Sequence, residues 1–195
     1  MKKGALLLLL IVFLNAKNTS AQLPKTKVDF DGYETLLKLV KLHRKTRLVN
    51  LDVFLKLSKQ TGTIILDTRS GEMYDRKHIA GAVHLDFSDF TQDNLAGIIP
   101  SANTRVLIYC NNNIEGDPEH FPANNIRFKN VRGKTSPYAL ALNIPTYIGL
   151  YGYGYTNVFE LAELINDSDG RLRYEGTDVN PNEPSITGAV IMTKR

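Results

Sequence analysis

Thr63-Ile64-Ile65-Leu66-Asp67-Thr68-Arg69 and Arg105-Val106-Leu107-Ile108-Tyr109-Cys110 are the two stretches that decide the fold of this chain. Each opens with a short apolar, β-branched run without polar alternation, the pattern of a central parallel strand buried on both faces. Each then stops on reactive chemistry: Asp67 with Arg69 two positions on, and Cys110 followed by Asn111-Asn112-Asn113. Between them the sequence predicts a short capped turn over residues 70–75, a small strand over 82–85 and a helical stretch within 88–96. Such alternation predicts a single α/β domain with an open, mainly parallel sheet flanked by helices. Chemistry in these sheets collects beyond the carboxyl ends of the strands. Asp67, Arg69 and Cys110 stand there.

Working outward toward the N-terminus, Tyr33, Leu36, Leu37 and Val40 fall at helical spacing with Lys38, Lys41 and Arg44 between them. Residues 33–44 therefore predict an amphipathic helix lying outside the core fold. Asn50 is a helix N-cap candidate, and Leu51, Phe54 and Leu55 form the apolar stripe of a second helix ending near Gln60. Toward the C-terminus, Asn111-Asn112-Asn113 forms a turn, and Gly116, Pro118, Pro122, Gly133 and Pro137 punctuate an irregular stretch. The next helix starts at Asn143, read as its N-cap, with Pro145 in the first turn where a missing donor costs nothing. Gly152-Tyr153-Gly154 closes that helix, and Val158-Phe159 supplies a further strand. Residues 166–184 are polar and turn-rich, and residues 186–192 suit an added edge strand.

Lys2 and Lys3, the apolar run from Ala5 to Leu14, and the polar exit through Thr19-Ser20-Ala21 have the order of a secretory signal peptide. The run is too short to span a bilayer, which needs about 20 residues. The mature chain is thus expected to start at Gln22 and to be exported, periplasmic or extracellular. Removing residues 1–21 takes Lys2, Lys3 and Lys17 and no acid, so the net charge falls from +4 to +1. The basic character belongs largely to the leader, which argues against a nucleic-acid partner. The divisions read from sequence are a signal peptide over 1–21, an N-terminal helical extension over 22–46, a domain over 47–165 and a C-terminal extension over 166–195. A single cysteine cannot make an internal disulfide, leaving an inert buried thiol, an intermolecular link or a reactive group.

Three segments together resemble a rhodanese-like domain, the sulfurtransferase superfamily. Asp67-Thr68-Arg69-Ser70-Gly71-Glu72-Met73-Tyr74, continuing to His78-Ile79-Ala80-Gly81-Ala82, is similar to the family's Asp-x-Arg turn and its His-Ile-Pro-Gly-Ala stretch. The strand ending in Cys110 resembles the one that carries the family's nucleophile. Gly154-Tyr155-Thr156-Asn157-Val158-Phe159-Glu160-Leu161 resembles the glycine turn into its last parallel strand. Met73, Lys77 and Ala80 depart from the family's Glu, Gly and Pro, and the usual Gly-Gly and Trp after the last strand are absent. The largest departure is the loop after the cysteine: Cys110 and Asn143 lie 33 positions apart, where ordinary members have only a few residues. Residues 111–142 are thus an enlarged active-site loop, and loops of that length usually carry a function such as a lid or a partner surface.

The resemblance implies a thiol-dependent sulfurtransferase or sulfane-sulfur carrier in which Cys110 becomes a persulfide, with no metal or organic cofactor. Its partners would be a small anionic sulfur donor and a thiophilic acceptor. A helix N-terminus at Asn143 would favour the anionic sulfur. Asn111, Asn112, Asn113, Arg69, Arg132 and Lys134 are the candidate substrate-binding residues, the last two because cations beside a thiol steer an anion. Asp67, His78 and Asn143 are supporting residues. His43, His84 and His120 share no metal-ligand spacing. The rival reading is a noncatalytic module that docks a protein through residues 111–142. Phosphatase-like chemistry needs an arginine six positions after the cysteine, and position 116 is Gly.

Overall fold

The computed structural model describes residues 27–123, 125–129 and 135–180. In chain order the elements are α1 (Phe30–Arg44), β1 (Leu48–Val49), α2 (Leu51–Ser58), β2 (Thr63–Asp67), α3 (Gly71–Arg76), β3 (His78–Ile79), β4 (Ala82–His84), α4 (Gln92–Ile98) and β5 (Arg105–Tyr109). Then come β6 (Ile114–Glu115), β7 (Asn125–Lys129), β8 (Thr135–Ala139), α5 (Asn143–Gly152), β9 (Val158–Leu161), β10 (Ile165–Asn166) and β11 (Tyr174–Glu175).

Strands β1-β9-β5-β2-β4 form one sheet in that order, and every neighbouring pair is parallel. The two apolar runs pair directly at its centre, from Thr63↔Arg105 to Asp67↔Tyr109. Side chains alternate across a strand, and β5 serves two cores. Leu107 and Tyr109 pack with Leu51 and Phe54 of α2, Leu161 and Leu172 on one face. Val106 and Ile108 pack with Val40, Leu95, Tyr147, Leu150 and Val158 on the other. Burying a side chain of this size fully contributes about 1.5–3 kcal/mol, so a polar replacement in either layer would be severe. Asn50 caps α2, its side chain accepting from Val53 N at 3.0 Å. Gly154, at φ +93°, makes the turn from α5 into β9, a conformation that favours glycine.

Three features differ from the sequence reading. First, α1 is not peripheral: it packs on α5, buries Val40 and sends Arg44 to Glu160 of β9. Second, the enlarged loop is not wholly irregular. Strand β6 pairs in parallel with β10, and β7 and β8 form an antiparallel hairpin from Asn125↔Ala139 to Lys129↔Thr135. The hairpin had a signal, the alternation of Ile126 and Phe128 with Arg127 and Lys129; Pro137 argued against a strand but is tolerated in a two-stranded ribbon, where each strand has an open edge. Third, the segment after residue 165 returns to the domain. β11 pairs antiparallel with β3, and Leu172 is buried. The edge strand expected over 186–192 and the leader over 1–21 lie outside the described residues. No helix among the described residues is long and apolar enough to cross a membrane.

Candidate active site

Cys110 continues β5 in extended conformation and is 1% exposed. Strand alternation turns it to the face of Val106 and Ile108, against which α5 packs. Asn111–Asn113 then make one 3-10 turn, Asn113 N donating to Cys110 O at 3.0 Å. Burial is the largest influence on the thiol and pushes it above the ordinary cysteine range. The backbone N–H groups of Asn143, Asn112 and Leu142 favour the anionic sulfur and oppose that rise, whereas the charge of Glu160 reinforces it. Despite the 33-position interval, the first turn of α5 therefore lies beside the cysteine turn.

Asn143 does this from a different position than its residue type suggested. Leu142 occupies the N-cap, with Thr146 N donating to its carbonyl at 3.0 Å, and Asn143 is the first helical residue. Its buried side chain instead donates from Nδ2 to Asn113 Oδ1 at 2.9 Å and to Glu160 Oε1 at 3.3 Å. Asn113 Oδ1 also accepts from Cys110 N at 3.0 Å, while its Nδ2 donates to Leu161 O at 2.8 Å. Asn113 thus ties the cysteine turn to α5 and to the end of β9. With both its donor and acceptor atoms engaged, it is a support for the loop.

Asp67 and Arg69 form the floor beside this turn. Asp67 is fully buried and accepts from Arg69 N, Nε and Nη2 and from the Tyr109 hydroxyl, which in turn accepts from Ile79 N at 3.0 Å. The remaining donors of Arg69 reach Lys77 O at 2.7 Å, His120 O at 3.0 Å and, more weakly, Asn111 Oδ1 at 3.4 Å. All five guanidinium N–H groups are committed inside the protein. Arg69, a candidate donor-binding residue in the sequence, is in this geometry a brace between β2, β3 and the enlarged loop. Thr68 Oγ1 meets Thr146 Oγ1 of α5 at 2.7 Å. His78 stacks on Tyr74 with ring centroids 3.8 Å apart, and its Nδ1 bonds Tyr74 O at 2.6 Å. His78 is a structural anchor.

The root of the enlarged loop is fastened by ion pairs. Lys77 Nζ donates to Asp117 at 2.9 Å and Asp167 at 2.7 Å, with its ammonium 4.5 Å from the Tyr174 ring. His120 lies between Asp117 and Asp178, and Arg76 bridges Asp178 and Glu119. Asp117 and Glu119 thus answer the cations of α3 and its C-cap, while His120 sits between two carboxylates. A cavity of about 590 Å³ lies between this root and the cysteine turn, lined by Asn112, Ile114, Glu115, Phe121, Ala141 and Leu164 among others. Asn112 supplies one of the N–H groups on the sulfur, and Ala141 adjoins Leu142, which supplies another. Arg132 and Lys134 lie outside the described residues.

Sequence reasoning passed over Glu160 and Arg44. The signal was an acid inside the apolar run Val158-Phe159-Glu160-Leu161, since a buried charge demands a partner. Lys77 was noted only as a departure from the family pattern.

A model of the Rhodanese-like domain matches residues 50–163, more than half of the chain. A solved structure of the BH2092 protein from Bacillus halodurans is 18% identical, covering 76% of this chain and 86% of its own, with a TM-score of 0.44. No curated protein matches the chain.

Proposed function

The chain belongs to the rhodanese-like domain family, and from that membership we propose that it is an exported sulfurtransferase or sulfane-sulfur carrier acting through a Cys110 persulfide. The observation that carries this reading is the group of backbone N–H donors from Asn112, Leu142 and Asn143 on the Cys110 sulfur. Donors fixed in a water-poor site stabilise charge on sulfur more than the same groups do in water. The thiol first loses its proton to solvent. The thiolate then attacks the outer sulfur of an anionic donor such as thiosulfate. The new Sγ–S bond forms as the donor's S–S bond breaks, and the electron pair leaves with sulfite. An acceptor thiolate next attacks the outer sulfur of the persulfide, and the pair returns to Sγ. In this scheme Arg132 and Lys134 of the enlarged loop attract the donor, and the protein undergoes no net redox change.

Mass spectrometry after incubation with thiosulfate or polysulfide tests the proposal. Gain of one sulfur, reversed by cyanide and absent in Cys110→Ser, is the expected result. Absence of any adduct on the native protein overturns it. The export part rests on residues 1–21, and a mature N-terminus at Gln22 is expected. Recovery of the native protein with residues 1–21 attached overturns that part.

One observation favours a second reading, a noncatalytic module docking a protein through residues 111–142. The thiol is 1% exposed and held above its ordinary pKa by burial. A thiol that alkylates only after unfolding supports the module; labelling of the native protein supports the carrier.

A further inference from the structure

Arg44 belongs to α1 and lies outside the family-matched residues 50–163, yet its side chain reaches a carboxylate beside the cysteine. Its Nη2 donates to Glu160 Oε1 at 2.6 Å and its Nε to Oε2. The Glu160 side chain is only 5% exposed, so its charge requires a partner. Glu160 Oε1 also accepts from Asn143 Nδ2. That bond fixes the orientation of the amide: both groups facing Nδ2, Glu160 Oε1 and Asn113 Oδ1, are acceptors. Asn143 Oδ1, by contrast, is buried with no hydrogen-bond partner among the described residues. Asn113 Oδ1 in turn accepts from both Asn143 Nδ2 and the Cys110 N–H, and the Asn143 backbone N–H favours the anionic sulfur. A continuous chain of contacts thus runs from an element outside the family match to the reactive atom.

We propose that Arg44 and Glu160 form a positioning pair for Cys110. Glu160 orients Asn143 and the first turn of α5, and Arg44 cancels the negative charge that this orientation places near the sulfur. The inference rests on Cys110 being the reactive group. Its failure is separable from failure of sulfur transfer, because alkylation reads the thiol itself. Other charged groups around the network are accounted for. Tyr147 of α5 lies near both members of the pair and near Arg47, which bonds Asn157; His43 of α1 bonds the Tyr147 hydroxyl at 2.9 Å; Asp67 and Arg69 neutralise each other beside the cysteine turn.

The test is the pH dependence of iodoacetamide alkylation of the full chain, whose single cysteine makes the signal unambiguous. Arg44→Gln leaves the carboxylate uncompensated and is expected to raise the alkylation midpoint. Glu160→Gln removes the charge and is expected to lower it, each by on the order of one pH unit. The double variant should return toward the wild-type midpoint. Opposite shifts with reversal support the pair. Unmoved midpoints, or shifts of the same sign, overturn it, because packing damage alone has no reason to change sign with charge. Should Arg44→Gln fail to fold, Arg44→Lys keeps the charge but loses the two-pronged geometry. A smaller upward shift is expected there, and an unmoved midpoint overturns the proposal. If these shifts occur but the wild type takes up no sulfur, the pair stands and the sulfur-transfer reading falls.

Discussion

Asn143 carries more of the candidate site than its position in the sequence suggested, because its two side-chain donors point at two fixed acceptors. Asn143→Asp replaces those donors with a carboxylate facing Glu160 and Asn113 Oδ1. Loss of two buried bonds beside a like charge is expected to cost about 2–4 kcal/mol, checked by urea unfolding. Arg69 invites a different experiment. Arg69→Met leaves Asp67 buried with the Tyr109 hydroxyl as its principal remaining side-chain donor, and removal of one member of a buried pair costs about 3–5 kcal/mol. Because its donors are already occupied, the folded fraction of this variant should accept sulfur with an unchanged apparent donor affinity. At this scale Asp67, Arg69 and Cys110 were legible, since each stands at or just past the end of a strand whose pattern is explicit. Asn143 was misassigned as a cap because an asparagine before a helical stripe signals capping whether its side chain turns back to the helix or across to a neighbour.

Lys77 shows how one departure from a family pattern can hold elements together. It stands where the family often has glycine, and it joins the start of the enlarged loop at Asp117 to the C-terminal segment at Asp167. All three side chains are largely shielded, with the lysine 13% exposed. Lys77→Met keeps the apolar stem beside Tyr174 but takes the ammonium from two carboxylates, of which Asp117 keeps His120. A loss of about 1–3 kcal/mol is expected, discounted for the partial exposure of Asp167. Proteolysis within residues 111–142 should accelerate, and unchanged cleavage there would contradict the fastening role. The central strands and α5 were legible because each has one clear period. The packing of residues 166–180 was not: strands β10 and β11 are two residues long, and nothing in so short a run distinguishes a paired segment from a turn.

For the whole molecule, buried and ion-paired groups bound stability on both sides of neutrality. On the acid side, His120 and Arg76 hold the Asp178 carboxyl down at about 2. Asp117 also lies below its ordinary value, because its bonds to Lys77 and His120 outweigh the opposing effect of burial. An unfolded aspartate titrates near about 3.9, so these groups favour the folded chain above that pH and lose their contribution as pH falls toward about 2. The alkaline side turns on one residue. The Cys110 thiol sits above its unfolded value, chiefly through burial. Between about 8.5, where an unfolded cysteine ionises, and the higher folded value, the native state holds a proton that the unfolded state has released. Stability must therefore fall with rising pH across that window, with a limiting slope of about 1.4 kcal/mol per pH unit for one proton. Tyr109, Tyr147 and Tyr174 are also raised, Tyr147 to about 12, but the ordinary tyrosine value of 10.0 places their contribution at higher pH. Urea unfolding at intervals from pH 7.5 to 9.0, where a free tyrosine is still about nine-tenths protonated, separates them. The wild type is expected to lose stability across that range, and Cys110→Ser, which lacks the thiol, is expected to show a much shallower slope. Parallel slopes would mean that the thiol does not resist ionisation in the fold. The cysteine would then already be a ready nucleophile, without the contest between burial and the N–H groups of Asn112, Leu142 and Asn143.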